Sequence, residues 1–278
     1  MHGEFLLTAI TADPELIRAC DDAGVDRIGI DIERIGKQAR QGHLLSPRFA
    51  AHQLDDLSVV AANVRNASIF ARLNPLHEGS ALEIERALQL KAQLLMVPYF
   101  TQPAEVAAFV QIVAARAEVI PLVETAAAVA RISEIVTIPG LREIMVGLND
   151  LHLSLALSNP FEIVTSSRME AMAGCVQKAG LRFGFGGLAR VDDVTLPVPP
   201  DLIVAQYPRL GASSSWLSRS FFRGIDSSQV TPAVRALRER LRYWAAQSPS
   251  TLSGQRGRLA ATFGASSGMA SNVGASRP

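Results

Sequence analysis

The stretch VIPLVETAAAV, residues 119–129, runs apolar side chains straight into a carboxylate, Glu124, and then into an alanine-rich segment with helical character. A charge at the edge of a buried strand asks for a reason. The pattern recurs in REIMVGLNDLHLSL, residues 142–155, where an apolar run leads to Asp150. Working outward, similar short runs recur: FLLTAI (5–10), RIGIDI (27–32), SIFARL (68–73), LLMVPY (94–99), EVIPLV (118–123), EIMVGL (143–148), RFGFGG (182–187) and DLIVAQ (201–206). Several are apolar almost throughout, as parallel strands buried on both faces are. Helical patterns such as PELIRACDDAG, QPAEVAAFVQIVAARA and RMEAMAGCVQKAG alternate with them. Eight strand–helix units predict an α/β fold, a closed (β/α)8 TIM barrel. The first turn, TAITADPEL, has no G-x-G-x-x-G, which argues against an open dinucleotide-binding sheet.

The chain has 278 residues, 48% of them hydrophobic, enough to bury a substantial core. We expect one barrel domain over 1–246, including a C-terminal amphipathic helix at 231–246, and a disordered tail over 247–278, where Ser, Gly, Ala and Arg dominate. The net charge of +1 gives no general nucleic-acid surface, and the basic run RALRERLRYW reads as a solvated helix face. The two cysteines, Cys20 and Cys175, form no C-x-x-C spacing, so two thiols in a reducing compartment are expected. The start MHGEFLLTAIT has no signal-peptide pattern, and no run of 18 apolar residues occurs. A soluble, cytoplasmic protein without membrane contact is the expectation.

Barrel chemistry collects where the strands end. Those ends offer Asp31, Glu33 and Arg34 after the second strand, Arg72 after the third, Pro98-Tyr99 after the fourth, Glu124 after the fifth, Asn149 and Asp150 after the sixth, and Gln206 and Tyr207 after the eighth. Glu124 and Asp150 are 26 residues apart, one strand–helix unit, which sets them on neighbouring strands. Two like charges in a partly dry site call for a divalent cation, and oxygen donors suit Mg²⁺ or Mn²⁺. The competing reading is that each carboxylate only caps the helix that follows. Arg72 is the natural partner of an anionic substrate; its competing role is an ion pair with Asp31 or Glu33. The histidines, His2, His43, His52, His77 and His152, read as satisfied or solvent-facing.

The segments IGIDIER (28–34), ARLNP (71–75), LLMVPYFTQPAEVAAFV (94–110), PLVETAAAV (121–129) and VGLNDLHLSLA (146–156) resemble, in order and spacing, the HpcH/HpaI aldolase and citrate lyase beta-subunit superfamily. The resemblance runs over roughly residues 3–225. It implies a metal-dependent carbon–carbon lyase, an aldolase acting on a 2-oxo acid through a pyruvate enolate, with Mg²⁺ or Mn²⁺ as cofactor. By this likeness Glu124 and Asp150 are the metal ligands, Arg72 the substrate-binding arginine, and Asp31 the acid after strand two. The base is expected to be a water on the metal, or Asp31 or Glu33 acting through a water. A homo-oligomer is implied, as is a small-molecule 2-oxo acid or thioester partner. Two other readings are an acyl-thioester lyase of citrate or malyl type, and a barrel that no longer catalyses. The sequence departs from the family where Arg34 stands in place of a histidine, and again in the ASSSWLSRSFF run near 212–222, which reads as a cover or a subunit contact.

Overall fold

The computed structural model describes residues 4–37 and 52–269. Eight parallel strands close into a barrel in sequence order: β1 Leu6–Ile10, β2 Arg27–Asp31, β3 Ser68–Arg72, β4 Leu94–Val97, β5 Glu118–Val123, β6 Glu143–Val146, β7 Arg182–Phe185 and β8 Ser214–Trp216, with β8 returning to β1. The period of two along each strand sorts its side chains. Outward-facing residues such as Ile28, Ile30, Ile69, Leu95, Val119 and Ile144 pack under the surrounding helices. Inward-facing Phe70, Leu94, Met96, Ile120, Leu122 and Met145 form a second apolar cluster, capped by Ile10 and Trp216. The interior is therefore filled.

One step toward the strand starts, the interior turns polar. Arg27 of β2 donates two hydrogen bonds to Glu143 of β6, at 3.1 and 2.7 Å. Arg182 lies 3.3 Å from the same carboxylate, and Ser214 donates to it at 2.7 Å. One step the other way, the same alternation brings Asp31, Arg72 and Glu124 inward at the strand ends. That answers the question raised by Glu124: it continues the inward row of Ile120 and Leu122 past the apolar layer.

Two sequence expectations fail here. DLIVAQ is not a strand. Pro200 opens the short helix Pro200–Val204, where a proline is well suited to the first turn, and Gln206–Arg209 is helical as well. Gln206 and Tyr207 consequently leave the list of site residues. Both are fully buried; Tyr207 stacks on Phe185 at 4.0 Å and donates to the Phe185 carbonyl at 3.2 Å. The eighth strand is Ser214–Trp216, inside the run read as a cover.

The tail also differs. The predicted helix at 231–246 is observed as Ser227–Ala245, and it buries Val230, Val234, Leu237, Leu241 and Trp244. Its basic face is less solvated than expected: Arg240 pairs with Asp201, and Arg238 lies 2.9 Å from Asp26. A further helix, Pro249–Met269, occupies a stretch expected to be disordered. Leu252 and Leu259, one heptad apart, are buried, and Arg256 donates to the Thr165 carbonyl at 2.7 Å. Residues 270–278 lie outside the described residues. Among the described residues no helix is long and apolar enough to cross a membrane.

Two stability tests follow from this packing. Glu143→Ala leaves Arg27 buried without its carboxylate and should cost about 3–5 kcal/mol in chemical denaturation; an Arg27→Met, Glu143→Leu pair should recover much of that loss. A chain ending at residue 246 should lose roughly 3 kcal/mol from the two leucines. A melting curve identical to that of the full chain would show that the last helix contributes nothing.

Candidate active site

Glu33, Glu124 and Asp150 converge at the strand-end mouth of the barrel. All three are buried, and each offers an oxygen within 4.8 Å of the others. Their placement has local causes. Tyr99, just past β4, sits at φ 46 and donates its backbone N–H to Glu124 Oε1 at 2.9 Å. Gly147 leaves the space Glu124 needs, since a Cβ there would lie 2.4 Å from Glu124 Oε2. Thr125, not Glu124, caps the helix Ala126–Ala130, accepting from the Ala128 N–H at 3.0 Å. Glu124 is therefore not a helix cap. Asp150 stands in the first turn of the helix Leu148–Ser154, a favourable place for a carboxylate as well as a site position. Glu33 is turned inward by Asn74, whose Oδ1 accepts from the Arg34 and Ile35 N–H groups at 2.8 and 3.1 Å.

Arg72 pairs across the strands with Asp31, its register partner. Its Nε donates to Oδ1 at 2.8 Å and its Nη2 to Oδ2 at 2.5 Å. Nη1 lies 3.6 Å from Glu33 Oε2. The Trp216 ring covers the guanidinium at 5.3 Å. Lys37 completes the array, 2.9 Å from Asp31 and 3.3 Å from Glu33.

Burial and charge set the ionisation. Burial alone would push the Asp31 carboxyl up, but Arg72 and Lys37 outweigh it and hold the group well below the usual carboxylate range. Glu124 goes the other way. Burial raises it first, and Glu33 and Asp150 add to the rise against the opposing pull of Arg72 and the Tyr99 N–H. Three carboxylates gathered in a buried pocket make a candidate cation site. The donor set is oxygen only, the kind that hard divalent cations take.

The family model described as HpcH/HpaI aldolase/citrate lyase matches residues 5–182, a span that holds all four acids and Arg72. The chain belongs to the HpcH/HpaI aldolase/citrate lyase family. No curated protein matches it. Among solved structures this family member is similar to an HpcH/HpaI aldolase/citrate lyase family protein from Burkholderia cenocepacia J2315, at 19% identity over 86% of this chain and 94% of that one, with a TM-score of 0.62. It is also similar to an HpcH/HpaI aldolase from Desulfitobacterium hafniense DCB-2, at 16% identity over 78% and 86%, TM-score 0.59. A third is the citrate synthase SbnG, at 18% identity over 82% and 93%, TM-score 0.59. At these identities the likeness speaks for the fold.

Within this family member, the structure brings together Asp31, Glu33, Arg72, Glu124 and Asp150, as the strand-end reading placed them. Glu33 stands closer to Glu124 and Asp150 than that reading had it. Lys37 and Trp216 were missed, as was Arg219, which lines the same cavity. Lys37 follows the second strand by six residues, beyond any alternation, and Trp216 and Arg219 lay in the segment read as a cover. Arg34 points elsewhere, donating to the His52 carbonyl at 3.2 Å. Among the histidines, His52 Nδ1 lies 3.3 Å from the Asp31 main chain, His77 Nε2 3.6 Å from Glu83, and His152 Nδ1 3.3 Å from the Leu148 carbonyl; His2 and His43 lie outside the described residues. Cys20 and Cys175 are free thiols, and burial, with Asp21 beside it, pushes the Cys20 thiol up to about 12.

The Asp31 pair has a measurable acid signature. Its folded pKa is depressed, so its stabilisation is complete above the unfolded value of about 3.9 and is lost as pH falls below it. Asp31→Asn should cost about 3 kcal/mol at neutral pH and flatten the acid limb of the stability curve. Parallel acid limbs for the two proteins would contradict the pairing.

Proposed function

We propose that this chain is a divalent-metal-dependent carbon–carbon lyase, an aldolase that works on a 2-oxo acid through a pyruvate-type enolate. The supporting observation is the convergence of Glu33, Glu124 and Asp150 beside Arg72 in one buried mouth. Glu124 and Asp150 would hold Mg²⁺ or Mn²⁺, with Glu33 bordering the ion. Such an ion supplies Lewis-acid stabilisation of negative charge on the 2-oxo acid's oxygens.

The rest of the work falls to the chain's own side chains. In the cleavage direction a 4-hydroxy-2-oxo acid loses its C3–C4 bond. The electron pair moves into the pyruvate enolate, the hydroxyl proton leaves to a base, and C4 departs as an aldehyde carbon; the enolate then takes a proton at C3. Arg72 keeps its Nε and Nη2 edge on Asp31, so Nη1 is the donor for the enolate oxygen. The full two-pronged grip on a substrate carboxylate is already engaged by Asp31. Both Asp31 oxygens are hydrogen-bonded to cations, which makes Asp31 a positioning residue for Arg72; Glu33, whose ion pairs to Lys37 and Arg72 are longer at 3.3 and 3.6 Å, is left to act through a water as the base. Trp216 keeps the guanidinium plane fixed. These contacts are made before the charge develops, the arrangement electrostatic catalysis needs.

Arg219, a basic side chain lining the same cavity, favours one other reading, an acyl-thioester lyase of citrate or malyl type. Exchange of pyruvate methyl protons with deuterium, followed by NMR in Mg²⁺ or Mn²⁺, separates the two because it needs no second substrate. Wild type should exchange; no exchange would shift the assignment to thioesters.

The residue roles have their own readouts. Glu124→Ala and Asp150→Ala should remove most of the Mn²⁺ affinity measured by calorimetry while the fold persists. Glu33→Gln should keep most of that affinity and lose about 100-fold or more in kcat. Arg72→Lys should bind metal, remain folded and exchange about 100-fold more slowly. Rapid exchange by a folded Arg72→Ala protein would remove the role given to Nη1.

A further inference from the structure

The cavity that holds the acids measures about 690 Å³, within the range of roughly 300–1,000 Å³ that takes drug-sized ligands. A three-carbon pyruvate head uses only a corner of it. The remainder has a definite chemistry. Its lining includes Asp31, Lys37, Arg72, Glu124 and Asp150, with Arg219 among the same lining residues. Leu148, Phe161, Val198, Ile203 and Phe222 supply an apolar wall of the same cavity.

This wall is built into the fold. Gly187, just past β7, adopts φ 113, where only glycine is comfortable, and a Cβ there would meet the Phe161 ring at 2.7 Å and Leu148 Cδ1 at 3.8 Å. The bare backbone lets the phenyl ring settle beside Leu148, whose helix also carries Asp150. The loop bearing Phe161 is fastened by Asn159, whose side-chain oxygen accepts the Phe161 N–H at 2.9 Å. Leu148, Val198 and Ile203 are buried. Phe161 and Phe222 pack on the core but are only partly covered, so apolar surface faces the cavity.

We propose that the fragment joined to or released from the 2-oxo acid head is apolar, an aryl or medium-chain alkyl aldehyde seated against Phe161, Leu148 and Phe222. This rests on the lyase reading above for the head and on the wall alone for the tail. An acidic aldehyde would have to place its distal carboxylate on a hydrocarbon surface, where an unpaired charge is costly.

The test uses the full-length protein in Mg²⁺ and two stable 2-oxo acids that differ in the tail, 2-oxo-4-phenylbutanoate and 2-oxoglutarate. Calorimetry should show the phenyl compound binding at least tenfold more tightly, and Phe161→Ala and Phe222→Ala should narrow that ratio. Equal affinity, or tighter binding of the dicarboxylate, overturns the proposal. Run in parallel, aldol addition of pyruvate to benzaldehyde should exceed addition to succinic semialdehyde at least tenfold in kcat/KM; the reverse preference also overturns it. Phenyl-selective binding without pyruvate proton exchange would support the apolar tail site and sink the aldolase reading, so the two failures are distinguishable.

Discussion

The mutual repulsion of Glu33, Glu124 and Asp150 is the constraint around which the mouth of this barrel is arranged. Like charges brought together out of water are costly unless something offsets them. The fold answers with cations at fixed positions, Arg72 and Lys37, and with a backbone N–H from Tyr99 aimed at Glu124. Asp31 in turn fixes Arg72. Glu124 still remains raised, by burial first and by Glu33 and Asp150 beside it. The glycine at 147, the left-handed turn at Tyr99 and the Asn74 clamp all serve to bring these groups together.

The barrel and the placement of most candidate-site residues were legible because strand alternation is a strong signal. Once Ile120 and Leu122 are known to face inward, Glu124 must as well, and the same logic holds for Phe70 and Arg72. The errors occur where that signal weakens. DLIVAQ is apolar enough for either a strand or a buried helix, and periodicity over so short a run cannot separate them; the prolines at 199 and 200 were the clue to a helix. The true β8 has two serines among its three residues, because Ser214 faces the polar floor and Ser215 meets the Tyr207 hydroxyl. Its partners come from distant parts of the chain, which local pattern cannot reveal.

The last helix was missed for a similar reason. Composition rich in Ser, Gly and Ala predicts a chain that cannot bury enough surface to fold. Leu252 and Leu259 supply a sparse apolar stripe, and the stripe matters only because the rest of the barrel presents a surface to it. Glu33 illustrates the limit at the site itself. It lies two residues past a strand end, on a loop held where the Arg34 and Ile35 N–H groups donate to Asn74 Oδ1 on the neighbouring strand's loop, and no local rule connects the two.

The polar floor has a kinetic meaning. Arg27 and Glu143, with Ser214 and Arg182, close the barrel at the strand starts, and the apolar layer above them is solid. Among the described residues, that floor and layer separate the acids from the strand starts, so a molecule that reaches Glu124 or Asp150 comes in over the strand ends. The loops at the mouth can therefore change what is admitted without disturbing the ion pairs that lock the far end.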